Sequence, residues 1–112
     1  LLPVNRGILA TCYARLKPGV TQEQLAEAYR AQYENEYFIR LLPKGREADI
    51  KNVRYSNFCD LSLHADTRTN TFIAVSAIDN MVKGAAGQAI QNMNLLLGLE
   101  EDSGLKLAGI HP

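Results

Sequence analysis

Residues 61–78 constrain the fold more than any other stretch. In Asp60-Leu-Ser-Leu-His-Ala-Asp66, Leu61, Leu63 and Ala65 alternate with Ser62, His64 and Asp66. That is the period-two pattern of a half-buried strand. Asp66-Thr-Arg-Thr-Asn70 follows as a turn. Thr71–Ile78 (TFIAVSAI) is apolar on both faces, which predicts a central strand covered on both sides. A turn this short makes the pair an antiparallel hairpin, and the rest of the chain must pack around it.

The remaining elements read off in order. Residues 6–17 form a strand with Ile8, Ala10, Cys12, Ala14 and Leu16 on one face, ended by Pro18-Gly19. Thr21-Gln-Glu-Gln24 is a capping box, with Val20 and Leu25 placed as its hydrophobic staple. The helix it starts carries Leu25, Ala28, Tyr29 and Tyr33 at helical period and ends near Asn35. Tyr37–Leu42 is a compact strand closed by Pro43 and Gly45. Residues 43–52 are polar and predict a loop with its charges in water. Asp79 or Asn80 caps a last helix, and Gly98 ends it. Along that helix Val82, Ala85, Ala86, Ala89, Ile90, Met93, Leu96 and Leu97 form one apolar stripe about 140° wide. The acidic trio Glu100-Glu-Asp102 reads as a solvated loop, and Gly104–Ile110 is a candidate edge strand. The order β-α-β-β-β-α, with a candidate final strand, predicts an α+β fold: a mixed, largely antiparallel sheet with helices packed on it.

Composition excludes several classes. The 112 residues carry 12 basic and 12 acidic side chains, and 46% are hydrophobic. This is one ordinary globular domain. A net charge of zero gives no electrostatic case for a nucleic-acid or anionic-membrane partner. No apolar run approaches the roughly 20 residues that span a bilayer. Cys12 and Cys59 have no ligand at zinc spacing and read as reduced, buried thiols of a cytoplasmic protein. Leu1-Leu-Pro3 has neither an initiator Met nor the shape of a signal peptide, so the chain is expected to be cut from a longer one.

Few residues offer chemistry. His64 alternates with apolar strand residues and has no acid, Ser or Cys at a telling distance; it reads as an exposed sheet-face histidine, and His111 as a frayed end. Neither Cys has the helix N-terminus or cationic neighbour that activates a thiol. No G-x-G-x-x-G or P-loop is present, so the chain cannot build a dinucleotide fold alone. Three residues stand out. Gly84, with Gly87, sits in the first turns of the last helix, where each glycine costs about 1 kcal/mol against Ala. Both lie off the apolar stripe, so either something approaches this face closely or a neighbouring segment of the same domain packs tightly there. Asn80, at the strand-to-helix junction, places an amide beside free helix N–H groups, suited to a carboxamide or an anion. Arg6, at the mouth of the first strand, could clamp a phosphate or carboxylate, or simply form a surface ion pair.

LLPVNRGILAT (1–11), SNFCDL (56–61), AIDNMVKGAAGQAIQNMNLLLG (77–98) and the ending GLKLAGIHP closely resemble the C-terminal part of N-acetyl-γ-glutamyl-phosphate reductases, over nearly all 112 residues. A looser form of the Asp-Asn-then-helix motif occurs in aspartate-semialdehyde and glyceraldehyde-phosphate dehydrogenases. The resemblance implies the C-terminal domain of such an enzyme in arginine biosynthesis, reducing an acyl phosphate to a semialdehyde with NADPH and releasing phosphate. It implies that Asn80 faces the nicotinamide carboxamide, that Gly84 and the start of its helix line the NADP pocket, and that Arg6 meets the substrate's phosphate or carboxylate. The cofactor-binding Rossmann domain, the nucleophilic cysteine and the catalytic histidine would all lie upstream of Leu1. Cys12, Cys59, His64 and His111 do not match those motifs, so no catalytic residue is assigned here. Partners would be the chain's own N-terminal domain, a small-molecule substrate and further copies in a homo-oligomer. The alternative is a free-standing α+β amino-acid-binding regulatory or oligomerisation module.

Overall fold

The hairpin forms between β3 (Cys59–Asp66) and β4 (Thr71–Ile78), antiparallel with Cys59 opposite Ile78 and Asp66 opposite Thr71. Asp66 closes its turn by accepting hydrogen bonds from the Arg68 N–H and the Thr69 hydroxyl. β1 (Ile8–Arg15) lies antiparallel along the other edge of β4, and β2 (Ile39–Leu41) runs parallel to β3. The structure, a computed structural model, describes residues 3–107. Its sheet order is β1-β4-β3-β2, so the α+β class and the mixed, largely antiparallel sheet both hold.

β4 is central, but it is not covered on both sides along its length. Only Ala77 is fully buried, and β1 is exposed from end to end. Cys12 is therefore an exposed thiol and Cys59 a half-buried one, both free, in place of the two buried thiols expected.

Two segments cover what is covered. α1 (Gln22–Tyr33) starts with the capping box as read, Thr21 and Gln24 satisfying each other's backbone N–H groups. It packs Tyr29 against Phe72, ring centroids 5.6 Å apart. Because β2 pairs with β3 only as far as Leu61, the edge of β3 beyond it is left open. Gln22 closes that edge like a short strand: its Nε2 donates to the Leu63 carbonyl and its Oε1 accepts from the Ala65 N–H. Successive strand residues point to opposite faces, so Val75 and Ala77 face away from α1. There the segment expected to be solvated, residues 43–52, instead folds over the sheet with the residues that follow it. Ala48 and Val53 bury against Ala77, with Leu42, Ile50, Phe58 and Val75 around them. The half-buried pattern of β3 is corrected accordingly. Ser62 and Asp60 are buried: Ser62 accepts from the Ala48 N–H, and Asp60 pairs with Arg40 at 2.6 Å. His64 is part-exposed, as expected, and meets Glu47 at 3.0 Å.

The last helix opens as a π turn, Val82–Ala86, and continues as α2 (Gly87–Leu96), with Gly98 at φ 67 just past its end. The apolar stripe faces away from the domain. Gly87, Gln91 and Asn94 are the buried residues of α2, whereas Ile90, Met93 and Leu96 are exposed, Leu96 at 85%. The acidic trio is not wholly solvated either, since Glu101 is half-buried and accepts from the Gln91 amide. Residues 104–107 form no strand; 108–110 and His111 lie outside the described residues.

The domain is a slab of 43 × 37 × 21 Å with a radius of gyration of 15.4 Å. A compact chain of this length would have a radius of about 13 Å. Its accessible surface, 7607 Å², exceeds by roughly a quarter the value of about 6,100 Å² for a monomer of this mass. Apolar residues face outward on β1 and on the stripe of α2.

Candidate functional site

Antiparallel pairing sets the start of β1 beside the end of β4, and three of the residues singled out above meet at that corner. Asp79 is its hub. Fully buried, it accepts from the Met81 and Val82 N–H groups through Oδ1, at 2.8 and 2.9 Å, and from the Tyr55 N–H through Oδ2 at 2.7 Å. Arg6 Nε stands 3.3 Å from Oδ2. Burial works to raise the Asp79 pKa, but the three backbone donors and the Arg6 charge outweigh it and hold the carboxyl below its ordinary value. Asp79, not Asn80, therefore caps the last helix.

Arg6 is laid flat by its surroundings, its guanidinium 4.5 Å from the centre of the Tyr55 ring. Its Nε is buried without a well-aligned hydrogen bond, so the ion pair holds it electrostatically. Tyr55 itself adopts φ 59, a left-handed conformation uncommon for an aromatic residue. Next to Arg6, Gly7 has φ +111, and a Cβ there would lie 2.6 Å from that of Ile50, so only glycine fits. The Gly7 N–H donates to Asn80 Oδ1 at 2.8 Å. This bond orients the Asn80 amide: its oxygen is taken, and its NH2 group has no partner among the described residues.

The two helix glycines separate. Gly84 is exposed on the π turn, its N–H bonded to the Asp79 carbonyl, and a Cβ there would have only ordinary to slightly tight contacts of 3.3–3.5 Å with Asp79, Ile78 and Ile8. Gly87 is buried, and a Cβ would sit 2.3 Å from Asn57 Oδ1. Gly87 is thus explained by packing within the domain, and Gly84 is not.

Below the corner lies a polar cluster that sequence reasoning missed. Gln91 Oε1 accepts from Lys83 Nζ at 2.7 Å and from Asn57 Nδ2 at 3.0 Å. Burial lowers the Lys83 pKa, against the nearby charges of Cys59, Glu101 and Glu36 that raise it. Burial likewise pushes the Cys59 thiol up, with Lys83 opposing, which is the reverse of thiolate activation. Asp79 was legible only as one of two capping options; Asn57, Lys83 and Gln91 carried no signal beyond polarity. Among the described residues no group of three or more His, Cys, Asp or Glu could hold a metal ion, and no helix is long and apolar enough to cross a membrane.

Chemically, the corner offers a fixed amide NH2 donor, a restrained guanidinium and an exposed glycine within one strand-to-helix junction. The family described as semialdehyde dehydrogenase, dimerisation domain, matches residues 1–80. A protein of Desulforapulum autotrophicum is 53% identical over 107 residues, covering 96% of this chain and 31% of its own length. One from Brachyspira hyodysenteriae is 56% identical over 106 residues, covering 94% and 30%. One from Desulforamulus reducens is 53% identical over all 112 residues, 32% of its length. Each is named N-acetyl-gamma-glutamyl-phosphate reductase. The chain spans about a third of the length of these relatives and corresponds to their C-terminal part.

Proposed function

The chain belongs to the semialdehyde dehydrogenase family through its dimerisation domain, and from that premise we propose that it is the C-terminal domain of an N-acetyl-γ-glutamyl-phosphate reductase. The whole enzyme would reduce the acyl phosphate to the semialdehyde and release phosphate, in the cytoplasm, as a step of arginine biosynthesis. NADPH, bound mainly by an N-terminal Rossmann domain, supplies the hydride. The catalytic cysteine and histidine belong to that other part, and this domain alone is inactive.

The observation that carries the reading is the convergence of Arg6, Asn80 and Gly84 around the buried Asp79. The residues fit the cofactor. Asn80, its oxygen held by Gly7, presents its amide NH2 to the oxygen of a nicotinamide carboxamide. Gly84 leaves the adjoining surface open to a ring. Arg6, stacked on Tyr55 and braced by Asp79, takes the substrate's phosphate or carboxylate. The stripe of α2, continuous with this corner, packs on the N-terminal domain, and the exposed face of β1 meets a second copy. Both surfaces are apolar and uncovered in the chain alone, as interdomain and subunit contacts require.

The test is reductase turnover by the full-length chain and by residues 1–112 alone, with Asn80→Ala in the full-length enzyme. Loss of one amide hydrogen bond should weaken NADPH binding by about 2- to 10-fold with KM for the acyl phosphate nearly unchanged. Turnover by the fragment alone, or none by the full-length chain, overturns the reading.

A further inference from the structure

We infer that Lys83, Gln91 and Asn57 are positioning residues that hold the π turn in register and thereby set where Asn80 and Gly84 stand. The inference rests on the reading of that corner as the nicotinamide site.

The attachment of α2 is unusual. Its apolar stripe faces outward, so Gly87, Gln91 and Asn94 are what it buries against its own domain. An apolar contact tolerates sliding, whereas a buried hydrogen-bond network fixes direction. Here the network converges on one atom. Gln91 Oε1 receives Lys83 from the π turn and Asn57 from the segment leading into β3, while Gln91 Nε2 is tied to Glu101. Asn57 is fully buried and abuts the Cα of Gly87 so closely that no Cβ fits between them. The helix is held at one point and blocked at another.

The π turn and this clamp require each other. Along an uninterrupted α-helix, residues eight apart are about 80° apart in azimuth, at 100° per residue. Lys83 and Gln91 would then point in different directions. The π turn accommodates one extra residue: the N–H groups of Gly84 and Ala86 reach back five residues, to Asp79 and Met81. With that residue inserted the pair behaves like positions seven apart, within about 20° of alignment. Lys83 meets Gln91 only because the turn is wide, and the bond opposes relaxation of the turn to α register. Such relaxation would swing Asn80 and Gly84 by about 100° relative to α2, away from a ligand seated against both α2 and the end of β4. Lys83 is thus committed to Gln91 and to the Phe38 ring, 5.6 Å from its Nζ, and it acts on the cofactor through the backbone.

The full-length enzyme tests this with Lys83→Met, which keeps the stem and removes the donor, and Lys83→Arg, which restores one. NADPH affinity is read by nucleotide fluorescence, alongside KM for the acyl phosphate. Lys83→Met is expected to weaken NADPH by about tenfold, equivalent to 1.4 kcal/mol, with KM for the acyl phosphate within twofold, and Lys83→Arg to recover most of it. Should Lys83→Met not yield soluble enzyme, Gln91→Met is read by the same criteria. Unchanged NADPH affinity, or equal loss for both substrates without recovery by Arg, overturns the inference. Asn80→Ala measured in parallel separates the failures. If it weakens NADPH and Lys83→Met does not, only the positioning role falls. If Asn80→Ala has no effect, the nicotinamide reading itself falls.

Discussion

Gly84 and Gly87 lie one turn apart, yet the same substitution should act on them in opposite ways. At Gly87 an alanine Cβ would stand 2.3 Å from Asn57 Oδ1 and 2.7 Å from the Val82 carbonyl oxygen. Reaching ordinary contact requires a shift of about 1 Å between a fully buried side chain and a helix backbone, and overpacking of this kind costs about 1–3 kcal/mol. Displacing Asn57 also breaks its bond to Gln91, about 1–3 kcal/mol more if the buried amide finds no new partner. The better helix propensity of Ala offsets about 1 kcal/mol. Gly87→Ala should therefore destabilise by about 1–5 kcal/mol. At Gly84 the tightest contact is 3.3 Å, and the propensity gain of up to about 1 kcal/mol prevails. Gly84→Ala should be neutral to stabilising, yet weaken NADPH, because it adds a methyl group to the exposed turn that follows Asn80. The assay is urea unfolding of the two full-length variants with NADPH titrations of each. A Gly87→Ala enzyme as stable as wild type would refute the packing argument. A Gly84→Ala enzyme that binds NADPH normally would remove Gly84 from the pocket.

Two further outcomes follow from the hydrogen bonding. Asp79 is held below its ordinary pKa, so the unfolded chain takes up its proton first as pH falls; its contribution is present above the ordinary carboxylate range and is lost as pH drops through the folded value. Asp79→Asn should be less stable than wild type near neutrality, and the gap should narrow in urea midpoints taken from about pH 5 down to about pH 2; a gap independent of pH contradicts the linkage. Gln22→Ala should cost about 1–3 kcal/mol by uncovering the Leu63 carbonyl and the Ala65 N–H, with protection of the Ala65 amide from hydrogen exchange falling first. Unaltered exchange there would contradict the capping of that edge by Gln22.

Much of this was legible in the sequence because local chemistry decided it. Alternation and a short polar turn made the β3–β4 hairpin, Thr21 and Gln24 made the start of α1, and Gly98 ended α2. Arg6, Asn80 and Gly84 stood out from residue type and position, and they meet at one corner. What was hidden depends on pairs distant in sequence. Ser62 and Asp60 look solvated in a strand pattern, but are buried by a loop whose own polarity conceals Ala48, Ile50 and Val53. The stripe of α2 gives the helix's amphipathicity without saying that the polar edge turns inward, because the Gln91 partners Asn57 and Lys83 come from separate segments. A wheel drawn at constant pitch also misses a π turn, which rotates everything before it.

The most direct test of the central claim is a structure of the full-length enzyme with NADP bound. Asn80 Nδ2 should lie at hydrogen-bond distance, about 3 Å, from the nicotinamide carboxamide oxygen, with Gly84 against the ring and Lys83 still on Gln91. A nicotinamide seated far from the Asp79 corner, with Asn80 turned to another part of the protein, would contradict it.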